Sequence, residues 1–147
     1  APLTDAGHLD AQEILIRLAS ASGWQATFEA PNDLRNPSAY TDVRLQRGDV
    51  IVLVEIWNRL DDLGAAVRSS DRKAGSSSGR SFWLLIDTAA NREIVRRYPG
   101  VLRARFSGSS ARWVGALTEP ADPPTEPGIA WIDVSSGRLR ELRLASG

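Results

Sequence analysis

The sequence contains no cysteine and a single histidine, and both shortages limit the chemistry open to the protein. Without cysteine, disulfide bonds and thiolate metal sites are excluded. Because His8 is the only histidine, one chain cannot build a metal site from several imidazoles. Any bound metal would have to rest on carboxylate oxygens, the ligands that hard cations such as Mg²⁺ and Mn²⁺ prefer.

Long apolar runs are lacking as well. No stretch approaches the roughly 18 apolar residues of a membrane helix, and the first fifteen residues are mixed and acidic, unlike a signal peptide. We therefore expect a cytoplasmic protein that does not interact with a membrane. The chain has 147 residues, of which 42% are hydrophobic, and this predicts one globular domain with a core of its own.

The formal net charge is zero, which argues against a protein that binds nucleic acid indiscriminately. Positive charge is nevertheless concentrated between Thr88 and Thr118, where six arginines accompany a single glutamate. Three of them, Arg92, Arg96 and Arg97, fall on one predicted helix. A solvated helix face is the ordinary explanation for such a group, and a patch that binds nucleic acid or a partner protein is the alternative.

Hydrophobic periodicity predicts an α/β domain with elements in the order α-β-β-β-α-β, then α-β and a C-terminal β-hairpin. Runs of this kind indicate a mixed sheet flanked by helices. The predicted helices cover residues 9–21, 58–73 and 88–97, the strands cover 24–30, 40–46, 49–57, 80–87 and 111–117, and the hairpin joins 129–134 to 138–144.

Two local signals frame the second predicted helix. Asn58, with Asp61 three residues later, predicts the N-cap of that helix. Beyond its other end, residues 75–79 form the sequence GSSSG, which has the composition of a flexible linker. We interpret this segment as an engineered or flexible replacement for a mobile loop, and the fold prediction does not depend on it.

Glu55 interrupts the most hydrophobic strand of the sequence, IVLVEIW. Burying a carboxylate is costly unless an arginine, a hydrogen-bond network or a metal compensates for it. Asp42 is the natural companion. If Arg47 and Gly48 form a two-residue turn, Asp42 lies opposite Leu53 and diagonal to Glu55 on one face of the sheet, at roughly 7–8 Å. Two carboxylates at that distance could share one cation, and a register shift of one residue would separate them.

The stretch TDVRLQRGDVIVLVEIWN, which follows an amphipathic helix and a first strand, resembles the PD-(D/E)XK nuclease superfamily. In that family an aspartate on one strand and an acid-x-lysine triplet on the next hold Mg²⁺ and activate water. The resemblance covers Leu9 to about Asp87 and implies a restriction-endonuclease-like αβββαβ core. It assigns Asp42 and Glu55 as the metal-binding acids of a catalytic site.

The resemblance fails at the catalytic lysine, because Trp57 stands at its position and cannot supply a positive charge. Some family members carry the lysine on the following helix, where Arg68, Arg72 and Lys73, the only lysine of the chain, are the candidates. A guanidinium is a poor base, although it can stabilise negative charge. The sequence therefore favours a catalytically inactive relative of these nucleases.

A second resemblance concerns the segments VLVEIWNRLDDLGAAVRSSDRKA and SFWLLIDTAANREIVRRYPGVLRARF. They resemble the C-terminal part of actinobacterial transcriptional regulators that carry an N-terminal helix-turn-helix. The resemblance implies that this domain belongs to a longer DNA-binding regulator, whose helix-turn-helix domain is its partner within the same chain.

The residues leave three functions open. The first is an inactive, nuclease-like regulatory or interaction domain of a transcriptional regulator, without a cofactor. The second is a Mg²⁺- or Mn²⁺-dependent DNA endonuclease in which Asp42 and Glu55 hold the metal, and Arg68, Arg72 or Lys73 replaces the missing lysine. The third is an oligomerisation module, which would make the protein a homodimer or a larger assembly.

Overall fold

A computed structural model describes the chain over residues 3–28, 40–75 and 79–144. Over these ranges the protein is α/β, with a six-stranded mixed sheet and helices on both of its faces. The helices are α1 (Leu3–Ala21), α2 (Leu63–Gly75), α3 (Ala89–Arg97), α4 (Pro99–Arg105) and α5 (Ser110–Thr118). The strands are β1 (Gln25–Phe28), β2 (Tyr40–Arg47), β3 (Val50–Trp57), β4 (Arg80–Ile86), β5 (Gly128–Asp133) and β6 (Arg138–Glu141).

The strands lie side by side in the order in which they occur in the chain. The first three form an antiparallel meander, β3, β4 and β5 run parallel, and β6 returns antiparallel to β5. The mixed sheet, its flanking helices and the C-terminal hairpin confirm the sequence prediction at this level. None of the helices within the described ranges combines the length and the apolar character needed to cross a bilayer.

The sheet separates two hydrophobic cores. One core packs α1 and α5 against the face that carries Val54, Phe82 and Ile132. The other packs α2, α3 and α4 against the face that carries Trp57, Trp83 and Leu85. Strands β3 and β4 contribute to both cores, which explains why each is nearly continuous in apolar residues.

The predicted strand at 111–117 is wrong, because these residues belong to α5. The side chain of Ser109 accepts a hydrogen bond from the backbone N–H of Arg112 at 3.2 Å and so caps the helix. Trp113, Ala116 and Leu117, at spacings of three and four, are buried on one face of this helix. A short run of apolar residues fits both the helical and the strand periodicity. The N-cap and the burial against the sheet decide in favour of the helix.

The predicted N-cap at Asn58 is also wrong, since α2 begins five residues later. Asp62 caps it, with Oδ1 accepting the backbone N–H of Ala65 at 3.0 Å. The carbonyl of Asn58 instead accepts a hydrogen bond from the side chain of Asn91, which holds this stretch in a non-helical conformation. Of the segment predicted to be a linker, residues 76–78 lie outside the described residues.

Asn91 joins α3 to the carboxyl ends of two parallel strands. It is fully buried, and its amide nitrogen donates to the carbonyls of Trp57 (3.3 Å), Asn58 (3.1 Å) and Ile86 (2.8 Å). Its amide oxygen accepts the backbone N–H of Leu60 at 3.1 Å. One side chain therefore satisfies four buried or half-buried backbone groups and sets the path from β3 towards α2.

Candidate functional site

The hairpin between β2 and β3 turns at Gly48 and Asp49, one residue later than predicted. Gly48 takes a positive φ of 61°, which two-residue hairpins require at the first central position. Each strand residue therefore pairs two places further along β3 than the sequence suggested. Asp42 lies directly opposite Glu55, and the predicted pairing of Asp42 with Leu53 is wrong.

The correction brings the two acids closer together. Residues directly opposite on antiparallel strands have Cβ atoms about 4.5–5.5 Å apart, against the roughly 7–8 Å expected for diagonal neighbours. Both side chains also leave the same face of the sheet. Asp42 is partly exposed and Glu55 only 6% exposed, so the pair lies at the boundary between solvent and the second core.

Trp57 does not lie in an open site. It is 5% exposed, and its ring packs against that of Trp83, with the centroids 5.0 Å apart. The residue that the sequence resemblance places at the position of a catalytic lysine is therefore part of the hydrophobic core. Trp83 is in turn the neighbour of Glu55 across the parallel β3–β4 pairing, so two tryptophans flank the buried acid.

Helix α2 crosses this face of the sheet. Ala66 and Ser70 are buried on it, and the Ser70 hydroxyl accepts a hydrogen bond from Nε1 of Trp83 at 3.2 Å. Position 73 lies three residues beyond Ser70 and seven beyond Ala66, the spacing of one helical face. The backbones of Arg72 and Lys73 belong to α2, and their side chains lie outside the described part of the chain. Arg68 is exposed.

The structure adds one cation that the sequence did not single out. Arg105, on α4, is partly buried, and its guanidinium donates to the Ser70 hydroxyl at 3.5 Å. The same guanidinium lies 5.1 Å from the ring of Phe106, which packs against Trp83. Arg105 therefore lies beside Ser70 and Phe106, on the side of the acid pair that the second core covers. It is fifty residues from Glu55, and no local pattern links the two.

The arginines of α3 lie elsewhere and are ion-paired. Arg92 contacts Asp87 at 2.5 Å, and Arg96 contacts Glu93 at 2.6 Å, with Arg97 3.8 Å from the same carboxylate. The hydrogen bond from Arg96 lowers the pKa of Glu93, and the nearby charge of Arg97 adds to this effect. These contacts neutralise much of the local positive charge, as expected of a solvated helix face.

Asp87 is a further acid with a nearly buried side chain, at the carboxyl end of β4. It bridges Arg92 and Arg140, so its charge is balanced within the protein. Asp87 does not cap α3, because the N-cap is Thr88, whose hydroxyl accepts the Asn91 N–H at 3.1 Å. Asp87 therefore serves as the ion-pair partner of Arg92 and Arg140.

A polar groove of about 200 Å³ lies on the face that carries the acid pair, towards the edge of the sheet. Its lining side chains come from β1 and β2, and all of them are exposed. In this polar groove Thr27 pairs across the strands with Arg44, and Gln25 pairs with Gln46.

No group of three or more histidine, cysteine, aspartate or glutamate side chains is arranged for metal binding within residues that the structure describes. A cation held by Asp42 and Glu55 would complete its coordination with water and substrate oxygens, as Mg²⁺ commonly does. Comparison of the chain with protein-family models, curated proteins and solved structures finds no match.

Proposed function

We propose that this domain is a Mg²⁺- or Mn²⁺-dependent nuclease acting on DNA, with Asp42 and Glu55 as its metal-binding acids. The observation that carries the proposal is their direct opposition on the β2–β3 hairpin. The antiparallel meander, the parallel β4 and the helix that connects it to β3 support the restriction-endonuclease-like core that the sequence motif implies. The inactive alternative, which the sequence favoured, rests on Trp57 standing in place of the catalytic lysine.

The donor set fits a hard divalent cation, because both side chains offer carboxylate oxygens and leave one face of the sheet side by side. When bound by Asp42 and Glu55, such a cation would supply a water of lowered pKa and would stabilise negative charge on the phosphodiester under attack. Asp42, the more exposed acid, presents its carboxylate to substrate and solvent. Glu55 is held by the core around Trp83, so its orientation is set before substrate arrives.

The missing lysine needs a substitute, and α2 offers one. Lys73 shares a helical face with Ser70, whose hydroxyl is bonded to the indole next to Glu55. We assign Lys73 as the cation that stabilises developing negative charge at the site. Arg105, bonded to the same Ser70 hydroxyl, adds positive charge on the covered side of the pair.

Nicking of supercoiled plasmid in Mn²⁺ tests this function. Asp42→Asn and Glu55→Gln should each lower the nicking rate by at least about a hundredfold, because a metal ligand contributes several kcal/mol to the transition state. Lys73→Met should lower it as well. The matched control is Asp49→Asn, since this acid is exposed in the hairpin turn and should be dispensable.

Two results would overturn the assignment. Nicking that persists in Asp42→Asn and Glu55→Gln would come from another source or another site. A melting temperature that does not rise with saturating Mn²⁺ would show that the folded protein binds no cation, since a ligand of the native state must stabilise it.

The burial of Trp57 favours a second function, a catalytically inactive regulatory domain of a helix-turn-helix transcriptional regulator. The tryptophan takes the position of the lysine and is packed against Trp83. In this case Asp42 and Glu55 are a relic that no longer serves catalysis. Asp42→Asn and Glu55→Gln should then leave the protein as stable as before or more stable, while the parent nicks no plasmid.

The inactive domain would act by binding DNA, its helix-turn-helix partner or a second copy of itself. Sedimentation equilibrium of the chain distinguishes the last case, because a monomer at high concentration contradicts a homodimer. The acid-pair variants and the plasmid assay decide between this function and the nuclease.

A further inference from the structure

We propose that the polar groove of Gln25, Thr27, Arg44 and Gln46 binds the sugar–phosphate backbone of DNA next to the Asp42–Glu55 pair. The inference rests on the proposed nuclease function and adds to it the path of the substrate. Three independent features of the groove support it: its open position on the sheet, the chemistry of its lining and its alignment with the acids.

The groove is the part of this sheet face that the second core does not cover. Helices α2, α3 and α4 pack over β3, β4 and β5, and the groove side chains on β1 and β2 are exposed. The opposite face of β2 is covered, since Val43 and Leu45 are buried in the first core. The hairpin is therefore anchored on one side and free to receive a ligand on the other.

Each lining side chain carries a hydrogen-bond donor, and the amide nitrogen of Gln46 also donates to the carbonyl of Gly48 at 3.2 Å. Two amides, a hydroxyl and a guanidinium face the groove, and its described lining contains no carboxylate. Over the described residues Arg44 makes no ion pair or side-chain hydrogen bond, unlike the arginines of α3. Donors of these kinds are the groups that proteins use to contact phosphate and sugar oxygens, and arginine can bind one phosphate through two N–H groups.

The groove is aligned with the acid pair. Asp42, Arg44 and Gln46 are alternate residues of β2, so they share a face at intervals of about 6.5–7 Å. Thr27, opposite Arg44, and Gln25, opposite Gln46, continue this face onto β1. A DNA strand whose scissile phosphate lies at the Asp42–Glu55 pair would place a neighbouring phosphate near Arg44.

Binding measured without metal tests this path separately from cleavage. Fluorescence anisotropy of a labelled 20-base-pair DNA duplex and of its single strand, titrated in EDTA, gives the affinity with no turnover. Arg44→Glu should weaken binding about tenfold or more and lower the salt dependence of the affinity by about one counterion. Gln46→Glu, which adds one negative charge with little change of shape, should weaken binding too.

The matched control is Arg138→Glu, which makes the same charge change on β6, at the far edge of the sheet. Equal losses of DNA affinity in Arg44→Glu and Arg138→Glu would contradict the proposal for the groove. So would a parent protein that binds neither the duplex nor the single strand. If DNA binding depends on Arg44 but the protein nicks no plasmid, the nuclease function is contradicted and the proposed DNA-binding groove is supported. If the parent nicks plasmid in a metal-dependent way and Arg44→Glu binds DNA as tightly as the parent, only the proposal for the groove is contradicted.

Discussion

Asn91→Leu should lower the free energy of unfolding by several kcal/mol, a large part of the roughly 5–15 kcal/mol that stabilises a typical domain. The substitution keeps the branched arrangement of side-chain heavy atoms but removes the donors to the carbonyls of Trp57, Asn58 and Ile86, and the acceptor for Leu60. Each buried backbone group left without a partner costs about 1–3 kcal/mol. Equilibrium unfolding in urea, followed by tryptophan fluorescence, measures the loss.

Arg96→Leu is the control for this experiment. It introduces the same residue on the same helix, where the side chain is exposed and only its ion pair with Glu93 is lost. Its midpoint of unfolding should stay close to that of the parent, because exposed ion pairs contribute little. Equal midpoints for Asn91→Leu and Arg96→Leu would show that the buried amide does not hold β3 and β4 to α3.

Much of the sheet follows from local pattern. The segment IVLVEIW and the segment RSFWLLID are apolar on both faces, which predicts inner strands, and both form them. Ser135-Ser136-Gly137 marks the turn of the last hairpin, where Gly137 has a φ of 70°. Asp87 or Thr88, ahead of a helical pattern, predicts an N-cap, and Thr88 provides it. In each case neighbouring residues carry the whole signal.

The register of the acid pair was not predictable to the same accuracy. Arg47-Gly48 and Gly48-Asp49 are both acceptable two-residue turns, and the choice between them moves every partner on β3 by two residues. The structure selects the second, which places glycine where positive φ is needed. The sequence therefore identified the two acids and the face they share, but the turn determined their separation.

Contacts between distant segments lie beyond any local pattern. Asn91 is an ordinary polar residue of a helix by sequence, and only the fold brings four backbone groups around it. Arg105 belongs to a stretch rich in arginine, and only packing brings its guanidinium to Ser70. The wrong prediction of a strand at 111–117 has the same origin. A short apolar run fits the helical and the strand periodicity equally well, and burial against the sheet decides between them.

The sequence resemblance and the structure bear on function in different ways. The motif names Asp42, Glu55 and a missing lysine, and the structure gives their surroundings. The pairing of the acids favours catalysis, whereas the buried Trp57 removes the usual source of positive charge. Lys73 is the residue on which the two functions differ most, because an inactive domain has no need of it. Loss of nicking in Lys73→Met, with unfolding unchanged, would therefore be the most informative single result.

Gly128→Ala should destabilise the protein by about 1–3 kcal/mol or more, as overpacking of a tight core does. Gly128 is buried, and an added methyl would overlap Cδ1 and Nε1 of Trp113 and lie 2.7 Å from its Cγ. The indole cannot easily move aside. It stacks on Phe82, with ring centroids 4.7 Å apart, and its Nε1 donates to the carbonyl of Glu126 at 3.0 Å.

Gly115→Ala makes the same chemical change with the opposite expected sign. Gly115 lies within α5, and an added methyl would meet no heavy atom within 4 Å. Alanine restricts the unfolded chain more than glycine does, so this variant should gain about 0.5–1 kcal/mol. Urea unfolding of both variants gives the two changes relative to the parent. A Gly128→Ala protein as stable as Gly115→Ala would mean that Trp113 moves freely, and that the stacked pair with Phe82 does not define the first core.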